Sequence, residues 1–167
     1  ENFNFLLTNS LKCDKIIVEK TLKLCGVGES AVEDKLRPLM TETENPVIAP
    51  YAKTGEVHLK LTATGKTREA ALLKMEEPIK KIREFFEENI YGEDKETLAS
   101  AVVKLLSEKN MTVSFCESCT GGSIAKAITD VSGSSSVFGF GAVTYANEAK
   151  EKMVGVSREN LECYGAV

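Results

Sequence analysis

The chain has one histidine in 167 residues, His58, and residues 93–167 contain none. A Ser-His-Asp or Cys-His catalytic set is therefore excluded from the second half, as is a zinc site with histidine ligands. Long apolar runs are also missing; none approaches the length needed to span a bilayer, so no membrane partner is expected. Basic charge is not in excess, with 21 Lys+Arg against 25 Asp+Glu and a net charge of −4. That balance argues against non-specific nucleic-acid binding. Residues 1–12 have neither a basic start nor a cleavage-site motif, which leaves the cytoplasm as the expected location. The five cysteines, Cys13, Cys25, Cys116, Cys119 and Cys163, are odd in number and irregular in spacing. Reduced thiols fit that pattern better than a disulfide framework.

What is present is ordinary globular material, 43% apolar and 28% charged, long enough for one or two domains. Residues 19–24 read as a strand. Gly26-Val27-Gly28 turns into a helix started by Ser30, with Glu33 completing a capping box and Val32, Leu36, Leu39 and Met40 on its apolar face. Pro46 and Pro50 bracket a short extended piece, and Lys53-Thr54-Gly55 is a turn. From Glu56 to Thr64 apolar and polar residues alternate cleanly, as in a half-buried strand, with His58 on the polar face as a solvated residue. Leu72, Met75, Ile79, Ile82 and Phe86 then form a helical stripe, with Pro78 expected to kink it or divide it in two. This βαββα unit stops at Tyr91-Gly92, so domains are expected at residues 1–92 and 93–167.

The second unit opens with a helix bearing Leu98, Val102, Leu105 and Leu106. A strand over 111–116 leads through Cys116-Glu117-Ser118-Cys119-Thr120-Gly121-Gly122 into a helix over 121–131, in which Ile124, Ala125, Ile128 and Val131 repeat. Gly133-Ser134-Ser135-Ser136 is a loop and Phe140–Tyr145 another strand. Asn147 is expected to cap a helix that Gly155 ends, and Ser157 to start a last one. The βαβ spacing predicts parallel pairing and an α/β fold class. The unit is short and ends at Gly165-Ala166-Val167 without a sheet-closing strand, so the chain is expected to be a fragment.

Ser118 stands at a strand-to-helix turn, where unpaired N–H groups and glycine backbone favour a bound anion. With no histidine nearby, a base for Ser118 must be lysine, tyrosine or a carboxylate. Lys150 is the best candidate: the first turn of a helix opposes its ammonium form, and burial would add to this, leaving neutral amine as a base. A solvated helix lysine is the plain alternative. Tyr145 either orients the pair or is a core tyrosine. Cys116-x-x-Cys119 has the spacing of a redox pair or half a zinc site, but a second ligand pair is missing and Cys116 is expected to face the core, so neither is the expected role. Thr120-Gly121-Gly122 matches neither Gly-rich phosphate signature.

Several of these segments carry a resemblance. Glu117-Ser118-Cys119-Thr120-Gly121-Gly122, Gly133-Ser134-Ser135, Phe138, Gly141, Val143-Thr144-Tyr145, Asn147, Lys150, Val154-Gly155-Val156 and Gly165-Ala166-Val167 resemble, in order and spacing, the C-terminal domain of the CinA (competence/damage-inducible protein A) family, a nicotinamide-nucleotide amidase or NMN deamidase. Residues 20–92, with Gly26-Val27-Gly28-Glu29-Ser30 and Ile48-Ala49-Pro50, resemble the KH-like middle domain of that family. Full-length members begin with a molybdopterin-binding-like domain and continue past the Gly165-Ala166-Val167 match, so this chain is expected to hold only part of such a member.

The resemblance implies a hydrolase that turns nicotinamide mononucleotide into nicotinate mononucleotide and ammonia. Ser118 would be the nucleophile, Lys150 its base, and Tyr145 the residue that positions them. Thr120, Gly121 and Gly122 would hold oxyanion or phosphate, with Ser134, Ser135 and Asn147 as further substrate contacts. No cofactor or metal is required, the expected partner is a small-molecule nucleotide, and a homo-oligomer is the expected assembly. The KH-like unit has no Gly-x-x-Gly loop flanked by basic residues, so RNA is not expected on it. The rival reading is a non-catalytic nucleotide-binding or scaffold module.

Overall fold

The structure, a computed structural model, describes residues 15–166. Cys13, Val167 and the leader reading of residues 1–12 lie outside the described residues. The chain divides into two compact units, the first ending at Glu96 and the second starting at Thr97.

In the first unit the elements run β1 (Ile16–Cys25), α1 (Glu29–Glu42), β2 (Val47–Lys53), β3 (Glu56–Gly65), α2 (Arg68–Phe86) and β4 (Ile90–Glu93). The strands form an antiparallel sheet in the order β2-β3-β1-β4. The alternation read in β3 is realised: Val57, Leu59, Leu61 and Ala63 are buried, and they pair with Leu24, Leu22, Lys20 and Val18 of β1. Val32 and Leu36 of α1 and Ala71, Met75, Ile82 and Phe86 of α2 close over that face. Each such side chain removed from water contributes about 1.5–3 kcal/mol, which makes this face the stabilising centre of the unit. β4 was not expected; its four residues, Ile90-Tyr91-Gly92-Glu93, are too short and polar to read as a strand, and they pair only with the end of β1.

Three local expectations change. The cap of α1 is Gly28 rather than Ser30, and no side chain bonds the first turn. α2 is one helix through Pro78, not two, because Pro78 lies on the buried face with Ala71, Met75, Ile82 and Phe86; continuous apolar contact outweighs one lost backbone bond. The buried stripe is accordingly centred on Ala71 and Pro78, with Leu72 at its margin. His58 lies on the polar face as expected, but it is half-buried and its Nε2 is 2.9 Å from Glu56 Oε2.

The second unit contains α3 (Leu98–Glu108), β5 (Val113–Glu117), α4 (Ser123–Thr129), a 3-10 turn (Ser134–Ser136), β6 (Phe138–Val143), α5 (Asn147–Val154) and α6 (Arg158–Tyr164). β5 and β6 pair in parallel, as the βαβ spacing predicts, with Val113 opposite Phe138 and Glu117 opposite Val143. The fold class is thus mixed α and β, an antiparallel sheet unit followed by a βαβ unit. A smaller core joins Val103, Ile128 and Val137, with Ala99, Leu106, Phe115 and Phe138 packed against it. The inward face of α3 is therefore Ala99-Val103-Leu106. Of the four apolar residues the sequence places on this helix, Leu106 packs inward, while Leu98, Val102 and Leu105 are exposed by 42%, 37% and 51%. Both triplets have helical spacing, so periodicity alone could not choose between them. No helix among the described residues is long and apolar enough to cross a membrane.

Candidate active site

β5 and β6 end side by side, and the residues just past those ends make the site. This is the usual place for a site in a parallel arrangement, outside the carboxyl ends of the strands. Ser118 follows β5 directly. Thr144 and Tyr145 follow β6 and lead into α5, whose fourth residue is Lys150. The α5 cap is Ala146 rather than Asn147; Asn147 is the first helical residue, and its side chain is exposed. Gly155 ends the helix in a left-handed conformation, as expected.

Lys150 is only 8% exposed, and its Nζ has three neighbours in hydrogen-bond reach. It lies 2.9 Å from the Thr144 carbonyl, 3.1 Å from the Tyr145 carbonyl and 3.0 Å from Ser118 Oγ. Two carbonyls accept its N–H groups, and the third position is the serine hydroxyl. A neutral amine satisfies this set as well as an ammonium does: two N–H groups donate to the carbonyls, and the lone pair accepts from Ser118. The solvated-lysine alternative does not describe this residue. The tyrosine contribution runs through its backbone carbonyl, since the Tyr145 side chain is 74% exposed.

The turn between β5 and α4 is built on glycine. Gly121 has φ +59 and Gly122 φ +93, left-handed values that glycine adopts without a Cβ clash. Those values delay the helix to Ser123, two residues later than predicted. The Gly121 amide donates to the Ser118 carbonyl at 3.0 Å.

Glu117, absent from the sequence-derived site, is 4% exposed. Its carboxylate accepts from the Ala125 amide at 2.8 Å and the Ile124 amide at 3.1 Å. Burial pushes this carboxyl up, but the amides of Ala125 and Ile124, the Thr120 hydroxyl and the Gly122 amide outweigh it and hold it below the usual carboxylate range. The chain's own carboxylate therefore occupies the N-terminus of α4, where an anion of the substrate was expected. Gly121 and Gly122 are committed to the turn. The amides of Cys119 and Thr120 donate to no protein acceptor among the described residues. No sequence signal marked Glu117, because its partners are seven and eight residues away rather than the three of a capping box.

Ser134 and Ser135 do not reach this end. α4 carries the chain back to the start of β6, so these serines precede Phe138, beside the Val113 end of β5, whose five residues span about 16 Å. Ser134, the first residue of the 3-10 turn, is buried there, and Ser135 is exposed. Cys116 is exposed instead of facing the core, because Phe115 takes the covered side of β5; its Sγ is 3.3 Å from Thr144 Oγ1. No group of three or more His, Cys, Asp or Glu residues is disposed to hold a metal among the described residues.

Comparison with known proteins bears on both units. A relative in Symbiobacterium thermophilum named a competence-damage inducible protein is 53% identical over 152 residues, covering 90% of this chain and 35% of the relative. One of the same name in Clostridium perfringens is 49% identical over 154 residues, covering 92% and 37%. The chain thus spans little more than a third of the curated relatives it matches. Among solved structures, the competence/damage inducible protein CihA of Agrobacterium tumefaciens aligns over 42% of each chain at 47% identity, with a TM-score of 0.41. Residues 19–92 match the damage-inducible protein CinA KH domain and residues 95–167 the CinA C-terminal domain, so the chain belongs to the CinA family.

Proposed function

We propose that the second unit is the catalytic part of an amidohydrolase acting on the carboxamide of nicotinamide mononucleotide and releasing nicotinate mononucleotide and ammonia. The observation that carries this reading is the 3.0 Å approach of Lys150 Nζ to Ser118 Oγ, with the amine held from behind by two carbonyls. Serine and lysine in that arrangement suit acyl transfer without histidine. Membership of the CinA family supports the choice of substrate.

In this mechanism Lys150 takes the Ser118 proton as Oγ attacks the carboxamide carbon. The tetrahedral oxyanion collapses, the C–N bond breaks, and Lys150 delivers the proton to the departing nitrogen, which leaves as ammonia. Water then attacks the acyl ester with Lys150 again as base, releasing the carboxylate and restoring Ser118. The Cys119 and Thr120 amides, free of protein acceptors among the described residues, are the donors at hand for the oxyanion. The positively charged pyridinium ring activates the amide, so the chemistry requires no metal. Ammonia release from nicotinamide mononucleotide by the full-length protein, lost in Ser118→Ala, is the result expected. Equal ammonia release by the two would sink the reading.

A further inference from the structure

We propose that Glu117 is a positioning residue for the nucleophile, fastening the Ser118 turn both to the start of α4 and to the segment that follows β6. The inference rests on reading Ser118 as the nucleophile. Three groups of the one residue do three separate jobs. The carboxylate accepts from the Ile124 and Ala125 amides and so fixes where α4 begins. The carbonyl accepts from the Thr144 amide at 2.7 Å, and the next carbonyl along, that of Thr144 itself, holds Lys150. The peptide bond then delivers Ser118. One side of Glu117 thus sets the helix that follows the nucleophile, and the other sets the segment that presents the base.

Only a carboxylate of this length fits both amides. Aspartate retains the charge but is one methylene short. Glutamine retains the length but offers one acceptor oxygen, with its NH₂ facing a second donor. Loosening this tie moves Ser118 relative to Lys150, and displacements of about 1 Å at a reacting pair cost on the order of 10²-fold in rate.

The test uses the full-length protein and a fluorophosphonate probe, so that it does not depend on the natural substrate. Ser118 Oγ forms the bond to phosphorus, the P–F bond breaks, fluoride leaves, and the serine proton passes to Lys150. The limiting labelling rate and the probe concentration at half-saturation are measured separately, with site assignment by mass spectrometry and a melting curve for each variant. For Glu117→Gln and Glu117→Asp the expected result is a limiting rate lower by about 10- to 100-fold, half-saturation within about threefold of wild type, and a cooperative melt. A folded variant of either kind with the wild-type limiting rate overturns the proposal. So does failure of both to fold, which assigns Glu117 to the fold alone. Absence of Ser118 labelling in the wild type overturns both the proposal and the Ser–Lys reading. Labelling that follows the expected pattern without ammonia release from nicotinamide mononucleotide removes the substrate assignment and leaves the role of Glu117 in place.

Discussion

Ser118 Oγ and Lys150 Nζ stand 3.0 Å apart although 32 residues separate them in the chain. Ser118 arrives at the end of β5 and Lys150 in the first turn of α5, and parallel pairing of β5 with β6 brings the two ends together.

If Lys150 is the base, it is the group that takes the Ser118 proton, 3.0 Å from Oγ. Lys150→Met should therefore lose about 10²–10⁴-fold in ammonia release. Lys150→Arg should not restore the rate, because guanidinium retains its proton throughout the accessible range. The rate of ammonia release by the two folded variants checks this; a wild-type rate in Lys150→Met would transfer the base role elsewhere.

Gly122→Ala tests the turn. A Cβ there would sit 3.3 Å from Val143 Cγ2 on a backbone with φ +93. The left-handed conformation alone should cost about 1–2 kcal/mol. Thermal melting should show that loss together with slower Ser118 labelling, since the strained residue belongs to the same loop.

The cysteines flanking Ser118 are expected to be dispensable. Cys116→Ala with Cys119→Ser should keep ammonia release within about an order of magnitude, both side chains being exposed and any packing loss small. Loss of activity in a folded double variant would contradict this, as would stoichiometric zinc in the purified protein.

In the first unit Glu56 offers a pH-dependent stability test. The Tyr91 hydroxyl donates to its carboxylate, His58 adds a second bond, and together they hold the carboxyl below its usual range. A depressed carboxyl stabilises the fold above its ordinary range, and that contribution is lost as pH falls through the lowered value. Tyr91→Phe should therefore cost about 1–3 kcal/mol at neutral pH. The difference from wild type in urea unfolding should shrink in acid. A difference that does not change with pH would mean that Tyr91 acts through packing.

The alternation of β3 and the hydroxyl at the end of β5 were legible in the sequence, because each depends on neighbours in the chain. For the Ser118–Lys150 pair the missing histidine left lysine, tyrosine or a carboxylate as base, the first-turn position pointed to Lys150 against a plain solvated lysine, and the catalytic pairing itself was what the family resemblance implied. What escaped depends on topology. Ser134 and Ser135 look like companions of Ser118 until the crossover through α4 places them at the other end of β5. The buried side of α3 depends on what lies opposite it: Leu106 packs inward with Ala99 and Val103, while Leu98, Val102 and Leu105 do not. Glu117 lay within the motif, but its role appears only when the start of α4 and the end of β6 are seen to meet on one residue.

The grip on Lys150 comes from main-chain oxygens of two consecutive residues rather than from side chains. Every amino acid brings such an oxygen, so exchanging the side chain of residue 145 leaves the lysine's harness intact. Inserting or deleting a residue between Val143 and Asn147 would swing both oxygens away. The amine is thus guarded by the length and path of a connecting segment, and a survey of substitutions there would pass over what a one-residue change in length would reveal.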